Sequence, residues 1–259
     1  MHKLKIISLA LLSVLVVVLT IYFSQQSPPS IVKDIPEVDF AEDPVPDFAS
    51  IEDVTEKKNA FFSYLRPAVE AQNAYLLNLR NYIQGLRSKV ISNEELNEEQ
   101  QQELDWLIKE YRVDPDQELL EIFDVLLRRI DIIPVELVLV QSANESAWGT
   151  SRFAQDGYNF FGMWCFKKGC GFVPSQRSAG ANHEVAKYDN LSKAMYSYMR
   201  NLNRHPAYTE LRNIRNRLRM NQQEITAIKL SEGLIRYSER GNEYIEELQS
   251  MIRVNKELI

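Results

Sequence analysis

Apolar residues recur every three or four positions over most of the chain beyond residue 53, the spacing of helices that bury one face. This spacing predicts helices at about 53–89, 95–111 and 117–130. Towards the carboxyl end it predicts four more, at about 191–204, 206–217, 222–234 and 241–257. The apolar stripes are interpreted as core-facing, so one mainly helical domain is expected.

Two neighbouring stretches depart from this spacing. Residues 135–140 are apolar on nearly every side and come after Pro134, which suits the first turn of a helix, so a helix in the centre of the domain is expected. Six of the nine glycines then lie between Gly149 and Gly180, where helical spacing is weak, and this stretch is expected to form turns and short strands. The predicted fold class is therefore α+β, mainly α.

An apolar run near the amino end predicts a membrane segment. Residues 6–23 are interrupted only by three hydroxyl-bearing side chains and approach the ~20 residues that a membrane-spanning helix needs. Lys3 and Lys5 precede the run, so the positive-inside rule predicts export of the chain beyond residue 23. Because the run ends without a small-residue cleavage site, residues 1–23 are expected to be an uncleaved anchor, with a cleaved signal segment as the alternative.

The rest of the chain divides by composition. Residues 24–52 combine five prolines with acidic residues and are expected to form an extended, self-repelling linker. Residues 53–117 are expected to be a helical extension, and residues 118–259 the domain that carries the chemistry.

Overall charge and size limit the class of protein. The formal net charge is -6, which gives no support to a nucleic-acid binder, because such domains are normally basic. The 259 residues, 45% of them hydrophobic, are enough for one sizeable core. An enzyme that acts on a polymer remains open.

Glu145 is the acidic residue with the most informative surroundings. It is expected at the carboxyl end of the apolar central helix, where the helix dipole disfavours a carboxylate, and Trp148 lies within one further turn. Partial burial and an aromatic neighbour would also raise the carboxyl pKa, as a general acid requires. Such an acid could donate its proton to a glycosidic oxygen. An ordinary solvated glutamate is the alternative.

Several short motifs resemble one family of enzymes. Glu-Ser-Ala-Trp-Gly at residues 145–149, together with Asn-Phe-Phe-Gly at residues 159–162, resembles the glucosaminidase family, glycoside hydrolase family seventy-three. Residues 161–171 are more similar to the Bax-like proteins of Gram-negative bacteria. Further similar segments extend to Tyr244, so the resemblance covers about residues 118–258.

The resemblance implies a fold and an activity. The fold would be a lysozyme-like helical domain with a small β-lobe across a cleft, and Glu145 would be catalytic. The activity would be that of an endo-β-N-acetylglucosaminidase that cuts the β-1,4 bond between N-acetylglucosamine and N-acetylmuramic acid in peptidoglycan. The alternatives are a lytic transglycosylase and a non-catalytic peptidoglycan-binding scaffold.

The resemblance also implies partners and a location. Peptidoglycan glycan strands would be the substrate, and the N-terminal segment would hold the chain in the inner membrane with its catalytic domain in the periplasm. A periplasmic protein freed by signal cleavage is the alternative. No nucleic acid, organic cofactor or metal is expected.

Glu184 is the candidate second carboxylate, a base that would activate water. It stands just ahead of a strand-like segment, about where the family can place such a group. Asp189 competes, but it more naturally caps the helix expected from Leu191. If the acetamido group of the sugar attacks instead, a second carboxylate matters less.

Other residues are expected to contact substrate on the strength of the resemblance. They are Trp148, Asn159, Phe160, Tyr188 and Tyr237. Packing is the alternative for Phe160 and Tyr237, and the sequence after Tyr237 lacks the Asp-Pro that family members often show.

Cys165 and Cys170 are the only cysteines, and a disulfide that pins the β-lobe is favoured over a catalytic thiol. Two cysteines make a poor zinc site, and neither His183 nor His205 stands at ligand spacing.

A local group of arginines is interpreted as a solvated helical face, with contacts to peptide carboxylates or lipid head groups as the alternative. Its members are Arg200, Arg204, Arg212, Arg215, Arg217 and Arg219.

Overall fold

The computed structural model describes residues 32–174 and 182–259. The apolar run that is expected to anchor the chain, within residues 1–23, lies outside the described residues. Within the described ranges, no helix is both long enough and apolar enough to cross a membrane.

Helices dominate the described chain, and short single turns of 3-10 helix stand between some of them. The helices are α1 (Val54–Ile91), α2 (Glu98–Glu110), α3 (Leu119–Arg129), α4 (Val135–Ser146), α5 (Arg152–Gly157), α6 (Leu191–Arg204), α7 (Thr209–Met220), α8 (Ala227–Ser231) and α9 (Asn242–Val254). The 3-10 turns are Phe48–Ser50, Pro206–Tyr208 and Glu232–Leu234.

A small antiparallel sheet interrupts the helices. Its strands are β1 (Trp164–Cys165), β2 (Gly171–Phe172) and β3 (Glu184–Ala186), and β3 lies between the other two. Trp164 pairs with Val185, and Phe172 pairs with Val185 from the other side. The predicted fold class, α+β and mainly α with a small β-lobe, is confirmed.

Residues 35–259 form one compact unit, so α1 and α2 belong to the same unit as the later helices. α1 packs against α3, α4 and α6, and buries Phe61, Leu65 and Leu79 completely. α4 lies in the centre, with its apolar residues 137–140 fully buried. The helical extension expected for residues 53–117 is therefore a large part of the core.

Residues 35–50 lie along the domain, unlike the extended linker expected for this stretch. Ala41, Val45 and Phe48 are buried. The Leu191 amide donates to the Ala41 carbonyl over 2.9 Å, and the Tyr158 hydroxyl donates to two carbonyls at residues 42 and 43. Apolar residues spaced among the prolines and acids hold the segment in place, so the composition alone was misleading here.

One capping residue and one helix boundary differ from the sequence-based expectation. Asn190 caps α6 by accepting from the Lys193 amide over 2.8 Å, whereas Asp189 pairs with the Lys193 ammonium. The helix expected at about 222–234 is restricted to α8 and a 3-10 turn. A Cβ atom on Gly233 would lie only 2.2 Å from the Cα atom of Leu211. The close approach of this turn to α7 therefore requires glycine.

The expected solvated arginine face is wrong for Arg212 and Arg215, which are 4% and 1% exposed. Arg215 donates to carbonyls at the end of α3 and just beyond it, and to the Asn203 side chain. Arg219 pairs with the buried Asp131 over 2.7 Å. Arg215 and Arg219 thus join α7 to the end of α3, because an arginine can satisfy several acceptors at once.

Candidate active site

The last turn of α4 carries Glu145 to the edge of a cleft. α4 ends at Ser146, and the backbone of Ala147 turns into the left-handed region with φ 51°. Gly149 comes two residues later with φ +78°, and a Cβ atom there would lie 2.5 Å from the Phe48 ring. This sharp, glycine-dependent turn ends the helix directly after the acid.

Hydrogen bonds hold the Glu145 carboxyl in place. The Tyr244 hydroxyl, on α9, donates to Glu145 Oε1 over 2.7 Å. Gln141 Nε2 donates to the same hydroxyl over 2.9 Å, and the Tyr198 hydroxyl donates to Gln141 Oε1. This network joins α4, α6 and α9, and it reaches Glu145 through the bond from Tyr244 to Oε1.

Burial raises the pKa of Glu145 above its ordinary value. Hydrogen bonds from Tyr244 and Asn144 favour the charged form and offset part of this effect, while the charge of Glu247 adds to it. The net result is a carboxyl group that keeps its proton to a higher pH than an exposed glutamate. This is the protonation state that a general acid needs.

Glu145 lines a cleft of about 770 Å³ between the helical domain and the β-lobe. The β-lobe side includes Met163, Trp164 and Phe166, and the helical side includes residues of α6. Trp164 and Phe166 are 57% and 76% exposed, so they offer apolar surface to a ligand. Among the described residues that line this cleft, Glu145 is the only carboxylate.

Aromatic side chains form the floor of the cleft beside Glu145. Tyr237 lines the cleft, stacks parallel to Tyr244 at 5.6 Å, and donates its hydroxyl to the Phe161 carbonyl over 2.9 Å. The Phe161 ring stacks on Tyr198 at 3.7 Å. These contacts connect the loop that enters the β-lobe with the Tyr198–Gln141–Tyr244 network.

The structure brings together some of the expected substrate contacts but not others. Tyr188 and Tyr237 both line the cleft. Trp148 instead packs against Phe62, at 5.3 Å between ring centroids, and is not among the described cleft residues. Phe160 is completely buried.

Asn159 is also buried, and all of its side-chain bonds are internal. Its amide nitrogen donates to the carbonyls of Met163 and Ala186, over 2.9 and 2.8 Å. Its oxygen accepts from the Met163 amide over 3.0 Å. Asn159 therefore fixes the loop between α5 and β1 to strand β3, and the described contacts assign it to the frame of the β-lobe.

Glu184, on β3, lies behind the cleft wall. Its carboxylate oxygens accept from the amides of Gly169 and Gly171, over 3.0 and 2.9 Å. The structure joins Cys165 and Cys170 in a disulfide, and the Glu184 carboxylate lies within 4.8 Å of their sulfur atoms. Disulfide sulfurs are not thiolates, so this group lacks the ligands that zinc prefers. Glu184 holds the disulfide loop, and it is not among the described cleft residues.

Several residues of the cleft, and of the hydrogen-bond network behind it, were not singled out by sequence reasoning. Gln141 stands four residues before Glu145, so one turn of the predicted helix already placed both on the same face. Trp164 and Phe166 lay in the resembling segment without an assigned role. Arg112 had no signal at all, because it precedes the part of the chain that carries the family motifs.

Fold and cleft together define a class: a mainly helical protein with a small β-lobe, whose cleft presents one half-buried glutamic acid at the end of a central helix. Comparison with known sequences then gives the family. Residues 120–257, more than half of the chain, match the glucosaminidase family, described as mannosyl-glycoprotein endo-beta-N-acetylglucosaminidase. The chain belongs to this family.

A curated relative is similar over most of the chain. Protein bax of Escherichia coli (strain K12) is 33% identical over 216 residues, which are 83% of this chain and 76% of that protein. No solved structure matches the chain.

Proposed function

We propose that the protein is a peptidoglycan hydrolase, an endo-β-N-acetylglucosaminidase in which Glu145 is the general acid. The observation that carries this proposal is the half-buried Glu145 carboxyl, which lines an open cleft with its pKa raised by burial. Membership of the glucosaminidase family supports a glycosidase, and the bond between N-acetylglucosamine and N-acetylmuramic acid is the proposed target.

The geometry around Glu145 supports proton donation. Tyr244 donates a hydrogen bond to Oε1, and in the proposed mechanism Oε2 carries the catalytic proton. A sugar bound in the cleft would place its glycosidic oxygen against that proton. Breaking the bond then transfers the proton to the leaving sugar, and the resulting carboxylate is stabilised by Tyr244 and Asn144.

For attack on the anomeric carbon, Glu184 is the proposed base that activates water. β3 holds it beside the cleft wall, next to the disulfide whose cysteines line the cleft. Because its oxygens accept from two loop amides, this role requires the loop to release one of those bonds when glycan binds. Attack by the acetamido group of the substrate is the other hydrolytic route, and it would leave Glu184 with its structural contacts.

The proposed site of action is the periplasm. The apolar run within residues 6–23 would hold the chain at the inner membrane, and the cleft would then face the wall.

A lytic transglycosylase is the second candidate, because Glu145 is the only carboxylate among the described cleft residues and that reaction needs one acid. The test is mass spectrometry of the products from purified peptidoglycan. Hydrolysis at the proposed bond leaves reducing N-acetylglucosamine ends. Anhydro-muramic ends would establish the transglycosylase, and binding without any cleavage would establish the scaffold.

A further inference from the structure

The lining of the cleft carries an excess of positively charged side chains although the chain as a whole carries a net charge of -6. The cations that line the cleft are Arg112, Lys187, Arg200 and Arg204. Against them, the described cleft residues offer only the carboxyl group of Glu145. A neutral sugar chain has no charge for these four groups to bind.

Arg200 and Arg204 stand one helical turn apart on α6, so they share a face. Both pair with Glu110, at 2.5 and 3.7 Å, and one carboxylate cannot neutralise two guanidinium groups. Arg200 Nε has no hydrogen-bond partner among the described residues. Glu110 therefore orients the pair and leaves net positive charge at the cleft wall.

Arg112 is the cation best placed to meet a ligand. Its side chain is exposed, and no described carboxylate pairs with it. Its backbone is fixed, because Arg129 donates to the Arg112 carbonyl over 2.6 Å. An anchored backbone with an unpaired guanidinium suits a carboxylate, which arginine can bind through two parallel hydrogen bonds.

His205 also lines the cleft, beside these arginines. Burial lowers the pKa of His205, and the charges of Arg112, Arg212 and Arg204 lower it further. Both effects disfavour a positive charge on His205, so the cations of this region are its arginines.

We propose that the cationic part of the cleft wall formed by Arg112, Arg200 and Arg204 binds carboxylates of the peptide attached to the glycan, so that the protein prefers peptide-bearing over bare glycan. This inference rests on the proposed function for the identity of the glycan. It adds a specificity determinant that comes partly from α2 and the turn after it, outside the segment that matches the family.

The test measures binding, so that it does not depend on catalysis. Full chains carrying Glu145→Gln, whose cleavage should be too slow to interfere, are titrated with peptide-bearing glycan fragments, with the same fragments after peptide removal, and with neutral N-acetylglucosamine oligomers. Adding Arg112→Gln should weaken binding of the peptide-bearing fragments about two- to fivefold, the usual range for one exposed ion pair. Raising the salt concentration should reduce this difference, because exposed charges are screened.

Arg253→Gln is the matched control, since Arg253 is an exposed arginine on α9 that is not among the described cleft residues. It should leave all three affinities unchanged. The proposal is overturned if Arg112→Gln has no effect on the peptide-bearing fragments, or weakens the neutral oligomers equally. An equal effect on fragments without peptide would assign the site to the lactyl carboxylate that peptide removal exposes, and would also overturn it.

This experiment separates the two proposals. If the wild-type chain shows no cleavage but Arg112→Gln weakens the peptide-bearing ligand selectively, the hydrolase proposal fails and the anion site stands. If the wild-type chain cleaves peptidoglycan but Arg112→Gln does not selectively weaken the peptide-bearing ligand, the hydrolase proposal stands and the anion site fails.

Discussion

Tyr244 donates its hydroxyl to Glu145 over 2.7 Å, although the two residues are 99 positions apart in the chain. α4 and α9 must pack together before this bond can form, and Gln141 then fixes the tyrosine from the other side. The acid of the cleft is therefore positioned by the tertiary structure of the helical domain.

Glu145→Gln tests the general acid. The substitution keeps the shape and the acceptor for Tyr244 but removes the proton, so turnover of purified peptidoglycan should fall by about 10²–10⁴-fold. The rate at which soluble fragments are released from peptidoglycan measures this turnover. Glu136→Gln, on the first turn of the same helix, is the control and should keep wild-type activity. Near wild-type turnover in Glu145→Gln would remove Glu145 from the mechanism.

The same variant gives a stability check with a defined sign. The pKa of Glu145 is raised in the folded state, so the protonated carboxyl adds to the free energy of unfolding of the wild type at acidic pH. This contribution is lost as the pH rises through the pKa of the folded state. Glutamine does not titrate. The melting temperature of Glu145→Gln relative to wild type should therefore increase as pH rises above about 4.3, the usual pKa of an unfolded glutamate.

Tyr244→Phe should shift the pH profile of the reaction. The lost hydroxyl stabilised the charged form of Glu145, so the pKa of Glu145 should rise and the alkaline limb of kcat/KM should move to higher pH. The variant also leaves the buried Gln141 amide without this acceptor, which costs about 1–3 kcal/mol of unfolding free energy.

Tyr237→Phe serves as the control for this shift. It loses a hydrogen bond to the Phe161 carbonyl, whereas the bond between Tyr244 and Glu145 is unaffected. Its alkaline limb should coincide with that of the wild type. An unchanged limb in Tyr244→Phe would show that Tyr244 does not set the protonation of the acid.

Glu184→Gln tests the proposed base. If Glu184 activates water, turnover should fall strongly, glycan binding should change little, and the product anomer should be inverted in the wild type. Nuclear magnetic resonance of the fresh product reports the anomer. Retention together with near-normal turnover in Glu184→Gln would exclude the two-carboxylate mechanism, and Glu184 would then have a structural role that includes holding the Gly169 and Gly171 amides.

The disulfide between Cys165 and Cys170 should stabilise the β-lobe modestly. Its closed loop is short, so reduction should cost an unfolding free energy near the lower end of ~2–4 kcal/mol. Urea unfolding with and without reductant measures this. The double variant Cys165→Ser, Cys170→Ser should be insensitive to reductant. Thiols that react with an alkylating agent in freshly isolated protein would contradict the disulfide.

Arg215→Lys should destabilise the helical domain. Arg215 supplies five hydrogen bonds to buried or half-buried acceptors, and an ammonium group has only three donors. Each buried acceptor left without a donor costs about 1–3 kcal/mol, which chemical denaturation can resolve. Arg217→Lys, at an exposed position on the same helix, should stay within about 0.5 kcal/mol of wild type. Equal stability of the two variants would contradict the structural role.

Local sequence patterns were sufficient to predict most helices and the position of Glu145 at the end of one of them. Apolar spacing placed α1 to α3 within a few residues, because the burial of one face repeats with the helical turn. The apolar run after Pro134 predicted a central helix with Glu145 at its end, as the structure has it. The glycine-rich stretch predicted the short strands, since glycine weakens helices and permits tight turns.

The tertiary structure decided which partners each residue has. Spacing shows that a face is buried but not what covers it, so Trp148 and Phe160 were expected in the cleft and instead pack against α1. Arg215 was expected in solvent, because nothing near it in sequence shows that the end of α3 offers it acceptors. The bond from Tyr244 to Glu145, and the place of Arg112 in the cleft wall, likewise depend on contacts between elements distant in the chain. The sequence alone determined most of the helices and the place of Glu145 at the end of one of them, whereas long-range packing raised the pKa of Glu145 and decided the charge of the cleft around it.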